Sequence, residues 1–270
     1  MSVSEAAIVG VIQGMTEFLP VSSSAHIVYA EHFLGIKEGN VDLAIVVHLG
    51  TLVAVFAAMW YRIAPIIRGT TAGVADLAVR RSPWAREEFR WAAYIIVGTV
   101  PAALLGVLFE DSLKETFGNP FQTSVLLIGT GIILFATRFV RRNDRDWGLS
   151  PALAVGFAQA LAILPGISRS GSTISMGLFL RIEREKAAEF SFLLSIPVIL
   201  GGAIIHIAGM VEQTGGLGLL SEPLIAGFCT SAISGYAAVR VLVSFVKKGA
   251  LHWFAVYCWI VGAAGMWYFA

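Results

Sequence analysis

Fourteen residues near the start of the chain, QGMTEFLPVSSSAH (13–26), bring a glutamate, a histidine and three consecutive serines together beside a proline. A second stretch, LPGISRSGST (164–173), sets an arginine among serines and glycines. Both are embedded in apolar sequence, where an ionisable side chain is costly unless it is paired, hydrated or used. Glu17, His26 and Arg169 are therefore the first candidates for function. A residue that precedes proline avoids the helical region, here Leu19 and Leu164, and serine is a good N-cap where a helix restarts. Each stretch reads as helix, tip, helix, with the N-terminus of the second helix at the tip. Such ends carry about half a positive charge and free N–H groups, which makes them anion sites. Two of them, with Arg169 between and hydroxyls from Ser22, Ser23, Ser24, Ser168 and Ser170, describe a phosphate or diphosphate pocket. A guanidinium fork matches a phosphate better than an ammonium does. Gln13 lies one helical turn before Glu17 on the same face. Its amide oxygen is placed either to meet a metal or to hydrogen-bond within the hairpin. The competing reading is structural: serines that cap helices, an arginine that neutralises Glu17 and a histidine that packs.

The elements that position these residues are those of a membrane protein. Of the 270 residues 57% are hydrophobic and 14% charged, and the mean hydropathy is +0.77. Soluble domains carry about 25% charged residues. A formal net charge of +1 gives no basis for a nucleic-acid partner. Cys229 and Cys258 lie in apolar spans and read as small core residues without a disulfide. The first Lys or Arg is Lys37, so no cleaved leader with a basic start is expected. A helix needs about 20 apolar residues to cross a bilayer, and six segments qualify: 41–61, 91–109, 121–140, 187–211, 223–246 and 250–269. Residues 3–34 and 151–180 are instead broken in the middle, as re-entrant hairpins are.

The two broken pieces align at an offset of 146, which puts Gly10 on Gly156, Gln13 on Gln159 and SSSAH (22–26) on SRSGS (168–172). Each half is then one hairpin followed by three spans. Three is odd, so the halves enter the membrane in opposite senses, an inverted-topology repeat that builds sites near the midplane. The expected fold is all-α: one membrane domain over 1–270, six transmembrane helices and two re-entrant hairpins, with repeats at 1–140 and 151–270. Fifteen of the 19 Lys and Arg fall in the loops of one side, and Lys37 and Lys114 on the other. Positive charge marks the cytoplasmic side, so both termini and the mouth of the first hairpin are expected to face outward.

These motifs resemble a known family. QGMTE matches the (E/Q)xxxE signature of the undecaprenyl-pyrophosphate phosphatases of the bacitracin-resistance type, and FLPVSSSAH is similar to its serine-rich continuation. PGISRSGST (165–173) fits the PGxSRSxxT signature at every fixed position, and FSFLLSIPVILGGA (190–203) is similar to the span that follows. The resemblance covers essentially the whole chain. It implies removal of the terminal phosphate from a long polyprenyl diphosphate at the outer face of the plasma membrane, which recycles the lipid carrier for surface glycan synthesis. It also implies a divalent cation, Mg²⁺ or Ca²⁺, and a possible homodimer. By the same resemblance Glu17 and Gln13 fall on the metal-binding pair, and Glu17, Ser23, His26 and Arg169 on catalytic positions. Ser22, Ser24, Ser168, Ser170, Gly171 and Thr173 then form the diphosphate-binding set. Two positions depart from the pattern: Gln13 stands where many members have a second glutamate, and Ala25 replaces the usual glycine before the histidine.

Other charged residues read as structural. His48 suits helix packing beside Gly50, Glu189 and Asp42 suit the ordering of entry turns, and Arg240 suits snorkelling. The basic run 62–90 fits the positive-inside signal with an amphipathic surface helix in ADLAVRRSPWAREEFRWAA. A lipid-phosphate transporter or flippase without chemistry is the alternative function, because inverted repeats with paired hairpins are also a transporter plan.

Overall fold

The computed structural model describes residues 1–36, 41–108, 119–140, 144–214 and 221–270. Lys37, Lys114, Arg141 and Arg142, which enter the charge asymmetry, and Phe109, the end of the second expected span, lie outside the described residues. Among the described residues the regular elements are helical, with one isolated parallel bridge between Arg145 and Ile182.

Helix α1 (Val3–Phe18) starts from a capping box: Ser2 Oγ accepts from the Glu5 N–H at 3.2 Å, and Glu5 Oε2 accepts from the Ser2 N–H at 2.8 Å. It ends where proline requires, with Leu19 extended at φ −61°, ψ 142° before Pro20. After a short turn α2 (Ser23–Leu34) follows and stops at Gly35, whose φ of +61° is a left-handed C-cap. The second broken piece has the same form: α6 (Leu149–Leu161), a turn, and α7 (Arg169–Phe179). The long helices are α3 (Val41–Ala78), α4 (Glu87–Leu108), α5 (Pro120–Ala136), α8 (Arg184–Thr214) and α9 (Glu222–Lys247). These five, α5 with its 3₁₀ extension through Phe139, are long and apolar enough to cross a membrane. Helix α10 (Trp253–Phe269) has 17 residues, about 26 Å at ~1.5 Å per residue, and falls with α6 among the shorter apolar helices. Large apolar side chains such as Trp60, Ile96, Ile205, Ile233 and Trp267 are more than half exposed, as a lipid-facing surface requires.

The halves interlock. Helix α1 packs along α9 and α6 along α4, so the first helix of each hairpin lies against a long helix from the other half. Glycine makes both approaches possible. A Cβ on Gly10 would lie 2.4 Å from the carbonyl oxygen of Gly227, and one on Gly156 would lie 2.5 Å from that of Gly98. The residues aligned by the sequence offset thus do the same job. Gly14 is as tight, since a Cβ there would sit 2.5 Å from the Ser231 carbonyl oxygen and 2.7 Å from the Gly235 nitrogen. Those atoms are backbone and cannot rotate away. Gly14→Val is expected to destabilise the fold by about 1–3 kcal/mol or more, read as a lower melting temperature in detergent.

The structure departs from expectation in the basic loop and at one cysteine. No separate surface helix occupies 75–93; that stretch is the end of α3, a 3₁₀ turn at Pro83–Ala85 and the start of α4. Helix α3 runs past its expected end at 61 because Gly69 and Gly73 lie against Glu88 and Phe89 of α4. An ion pair from Arg86 Nε to Asp76 Oδ2 at 2.6 Å fastens the far end. Pro65 lies inside this helix and does not terminate it. Cys258 is fully buried, but Cys229 is exposed on the outer surface of α9; both thiols are free.

Candidate active site at the meeting of two hairpin tips

The tips at 19–22 and 162–168 touch. Ser170 Oγ donates to the Leu19 carbonyl at 3.2 Å, and the Gly166 N–H donates to Ser24 Oγ at 3.4 Å. A Cβ on Gly171 would lie 3.3 Å from Pro20 Cβ. Gly166 has φ +99°, and a Cβ there would lie 2.3 Å from the Thr123 carbonyl oxygen on α5. Only glycine fits that turn. Thr130 of the same helix completes the support, donating to the Gly166 carbonyl at 2.8 Å and accepting from the Ser168 N–H at 2.9 Å.

At the junction Glu17 is 8% exposed and is the centre of a polar cluster. Arg169 Nη2 donates to Glu17 Oε1 at 2.7 Å, so the two charges expected at the tips are in direct contact. Oε2 accepts from Ser23 Oγ at 2.7 Å and from Gln13 Nε2 at 2.9 Å. The Gln13 amide oxygen is buried without a hydrogen-bond partner. The second arm of the guanidinium is held by α8, with Arg169 Nη1 donating to the Ser191 carbonyl at 3.0 Å. Ser191 Oγ also lies 2.7 Å from Thr173 Oγ1, which donates to the Arg169 carbonyl at 2.8 Å. One residue of α8 therefore fixes the arginine on both sides.

The remaining expected residues divide between scaffold and site. Ser168 is the N-cap of α7 and accepts from the Gly171 N–H at 3.1 Å, while its hydroxyl lies 3.2 Å from that of Ser170. Ser22 occupies the N-cap position of α2 but makes no side-chain cap. Its φ of +67° is left-handed, uncommon for a residue with a side chain, and its hydroxyl pairs with Ser24 Oγ at 3.1 Å. In this conformation the Ser22 carbonyl accepts from the His26 N–H at 3.3 Å and contacts its ring Nδ1 at 2.8 Å. His26 Nε2 lies 2.7 Å from the Tyr257 hydroxyl on α10. The hydroxyls of Ser24 and Ser170 thus join the two tips and that of Thr173 reaches α8, while those of Ser22 and Ser168 bond within their own tips and that of Ser23 donates to Glu17.

Four neighbours were not foreseen in these roles. His48, expected to pack, points Nε2 at Glu17 Oε2 from 3.7 Å while Nδ1 contacts the Ala44 carbonyl at 2.6 Å. Its position in mid-span was the available signal. Thr130 and Ser191 are hydroxyls within apolar spans, a weaker signal, and nothing local to Tyr257 ties it to residue 26. Glu189 does not order an entry turn. It is buried at 7% exposure, pairs with Arg62 Nε at 2.9 Å and accepts from the Tyr61 hydroxyl at 3.0 Å, which ties α8 to α3.

A divalent cation fits this cluster only with help from a ligand. Among the described residues no three His, Cys, Asp or Glu side chains come together. One carboxylate and one orphaned amide oxygen, from Glu17 and Gln13, are hard donors. That set suits an ion that takes its other ligands from phosphate oxygens and water, as Mg²⁺ commonly does. Chemically the cluster offers a carboxylate, a fixed guanidinium and a hydroxyl already donating to the carboxylate.

Residues 6–264 match the family described as bacitracin resistance protein BacA. A protein of Salinibacter ruber named undecaprenyl-diphosphatase is 39% identical over 266 residues, covering 97% of this chain and 98% of the relative. Proteins of the same name from Desulfatibacillum aliphaticivorans and Carboxydothermus hydrogenoformans are 41% and 42% identical. The first of these alignments covers 96% of each chain, and the second covers 97% of this chain and 95% of the relative.

Proposed function

Since the chain belongs to the bacitracin resistance protein BacA family, we propose that it hydrolyses undecaprenyl diphosphate, or a similar long-chain polyprenyl diphosphate, to the monophosphate and inorganic phosphate. The observation that carries the reading is the 2.7 Å contact of Arg169 with Glu17 across the two hairpin tips. It sits in a chain whose relatives over nearly their whole length are named undecaprenyl-diphosphatase. The reaction recycles the lipid carrier for surface glycan synthesis. The five long apolar helices and α10 are six spans, and the two hairpins are re-entrant, meeting from opposite leaflets as halves of an inverted repeat. The equivalent placement of Gly10 and Gly156 supports that plan. The distribution of Lys and Arg puts the termini and the mouth of the site on the outer face of the plasma membrane.

Phosphoryl transfer needs little covalent help and much positioning and charge neutralisation. Arg169 and the N–H groups at the start of α7 take the charge that grows on the transferred phosphoryl group. Glu17 and the Gln13 amide oxygen would hold a Mg²⁺ or Ca²⁺ ion, which would supply neutralisation of the diphosphate charge. The hydroxyls of Ser22, Ser24, Ser168, Ser170 and Thr173, with the Gly171 N–H, exchange contacts within the tips for contacts with diphosphate oxygens. Ser23 Oγ, donating to Glu17, attacks phosphorus or orders the water that does, with His26, three residues on along α2, as the base. The apolar spans receive the prenyl tail.

The test is inorganic phosphate released from farnesyl or longer prenyl diphosphates by detergent-purified protein. Stoichiometric phosphate and prenyl monophosphate are expected. Prenyl phosphate that crosses liposome membranes without phosphate release would overturn hydrolysis in favour of transport.

A further inference from the structure

We infer that Tyr257 on α10 is a positioning residue for His26, holding its imidazole with the proton on Nδ1 and leaving Nε2 as the one basic nitrogen. The inference rests on the function proposed above. A carbonyl oxygen only accepts, so the 2.8 Å contact with the Ser22 carbonyl puts a proton on Nδ1. In the neutral ring Nε2 then carries a lone pair, and the phenol 2.7 Å away donates to it. The two rings also stack, with centroids 5.7 Å apart and planes within 10°.

Neither contact follows from packing alone. Tyr257 is 44% exposed and so is not wedged into the core, yet its hydroxyl meets a ring nitrogen 231 positions earlier in the chain. The aromatic hydroxyl nearer in sequence does not compete: Tyr29, on the same helix as His26, directs its hydroxyl to Ser124 Oγ at 2.8 Å. The other anchor of the imidazole is unusual as well, because Ser22 presents its carbonyl from a left-handed backbone. An imidazole pinned at both nitrogens has one tautomer and one orientation. The phenol proton occupies the place that the proton of an attacking hydroxyl or water would take, so an incoming reactant displaces the phenol and finds a lone pair already aimed.

Two measurements on the detergent-purified full chain test this. In Tyr257→Phe the ring is retained and the hydroxyl is lost. Turnover of a prenyl diphosphate, kcat, is expected to fall about five- to tenfold, the scale of one hydrogen bond, with KM unchanged. Tyr257→Leu loses the stack too and should fall further. Nitrogen NMR of ¹⁵N-histidine-labelled protein, with His26→Gln assigning the signal, reads the tautomer without any turnover. The expected spectrum has a protonated Nδ1 and an acceptor Nε2 in the unsubstituted protein, with the Nε2 shift moving in Tyr257→Phe. A proton on Nε2, a shift that does not move, or an effect confined to KM overturns the inference. If the unsubstituted protein releases no phosphate, the proposed function fails, and the nitrogen spectra alone still decide the role of Tyr257.

Discussion

Arg169→Ala is expected to cut phosphate release by at least about 100-fold, the scale of losing one preorganised donor in a transition state. The side chain is 15% exposed, and its guanidinium is held by the Glu17 carboxylate and the Ser191 carbonyl. Its geometry is therefore set before any ligand arrives. Alanine also leaves Glu17 buried and unpaired, and breaking a buried pair costs about 3–5 kcal/mol, so lost activity could follow from lost fold. Arg169→Lys separates the two effects. It keeps a positive charge beside Glu17 but replaces the planar fork with a single ammonium. The lysine variant should melt near the unsubstituted protein and still lose about tenfold in kcat. Near-normal release by a folded Arg169→Ala protein would remove the arginine from the chemistry.

Glu17→Gln is the second large effect. Glutamine keeps the size of the side chain and removes the charge that Arg169, Ser23 and Gln13 converge on. Release should again fall at least about 100-fold, and the unpaired arginine should destabilise the fold by about 3 kcal/mol or more. Combining Glu17→Gln with Arg169→Met removes both charges. Replacing a buried ion pair by neutral groups of similar volume is often nearly neutral for stability, so the double variant should regain most of the lost melting temperature. Its activity should stay near the floor. If the pair served structure alone, activity would return with the fold.

Much of this arrangement was legible from local chemistry. Leu19 had to be extended because Pro20 follows it, and it is. Ser168 was a sound cap for α7 for the same kind of reason, a short hydroxyl side chain ahead of a helical run. Ser22 looked equally good, but its left-handed backbone prevents the capping geometry. No local rule predicts that conformation. Helix α3 outran its expected end because Gly69 and Gly73 receive α4, a contact between segments that hydropathy treats separately. His48 and Tyr257 reach the site from helices whose rotation depends on packing. Their partners, Glu17 and His26, are 31 and 231 positions away. The two motifs were visible because they are contiguous; their supports were not, because they are assembled from the whole bundle.

The interlocked halves have a consequence for biogenesis. Helix α1 is among the first segments to leave the ribosome, yet its resting place is a groove on α9, which begins more than 200 residues later. Until α9 is made, Gly10 and Gly14 lack the helix they lie against, and until α7 is made the carboxylate of Glu17 lacks its arginine. The nascent hairpin must wait at the membrane surface or in the shelter of the insertion machinery. Completion of the fold then comes late in synthesis, when α9 closes on α1.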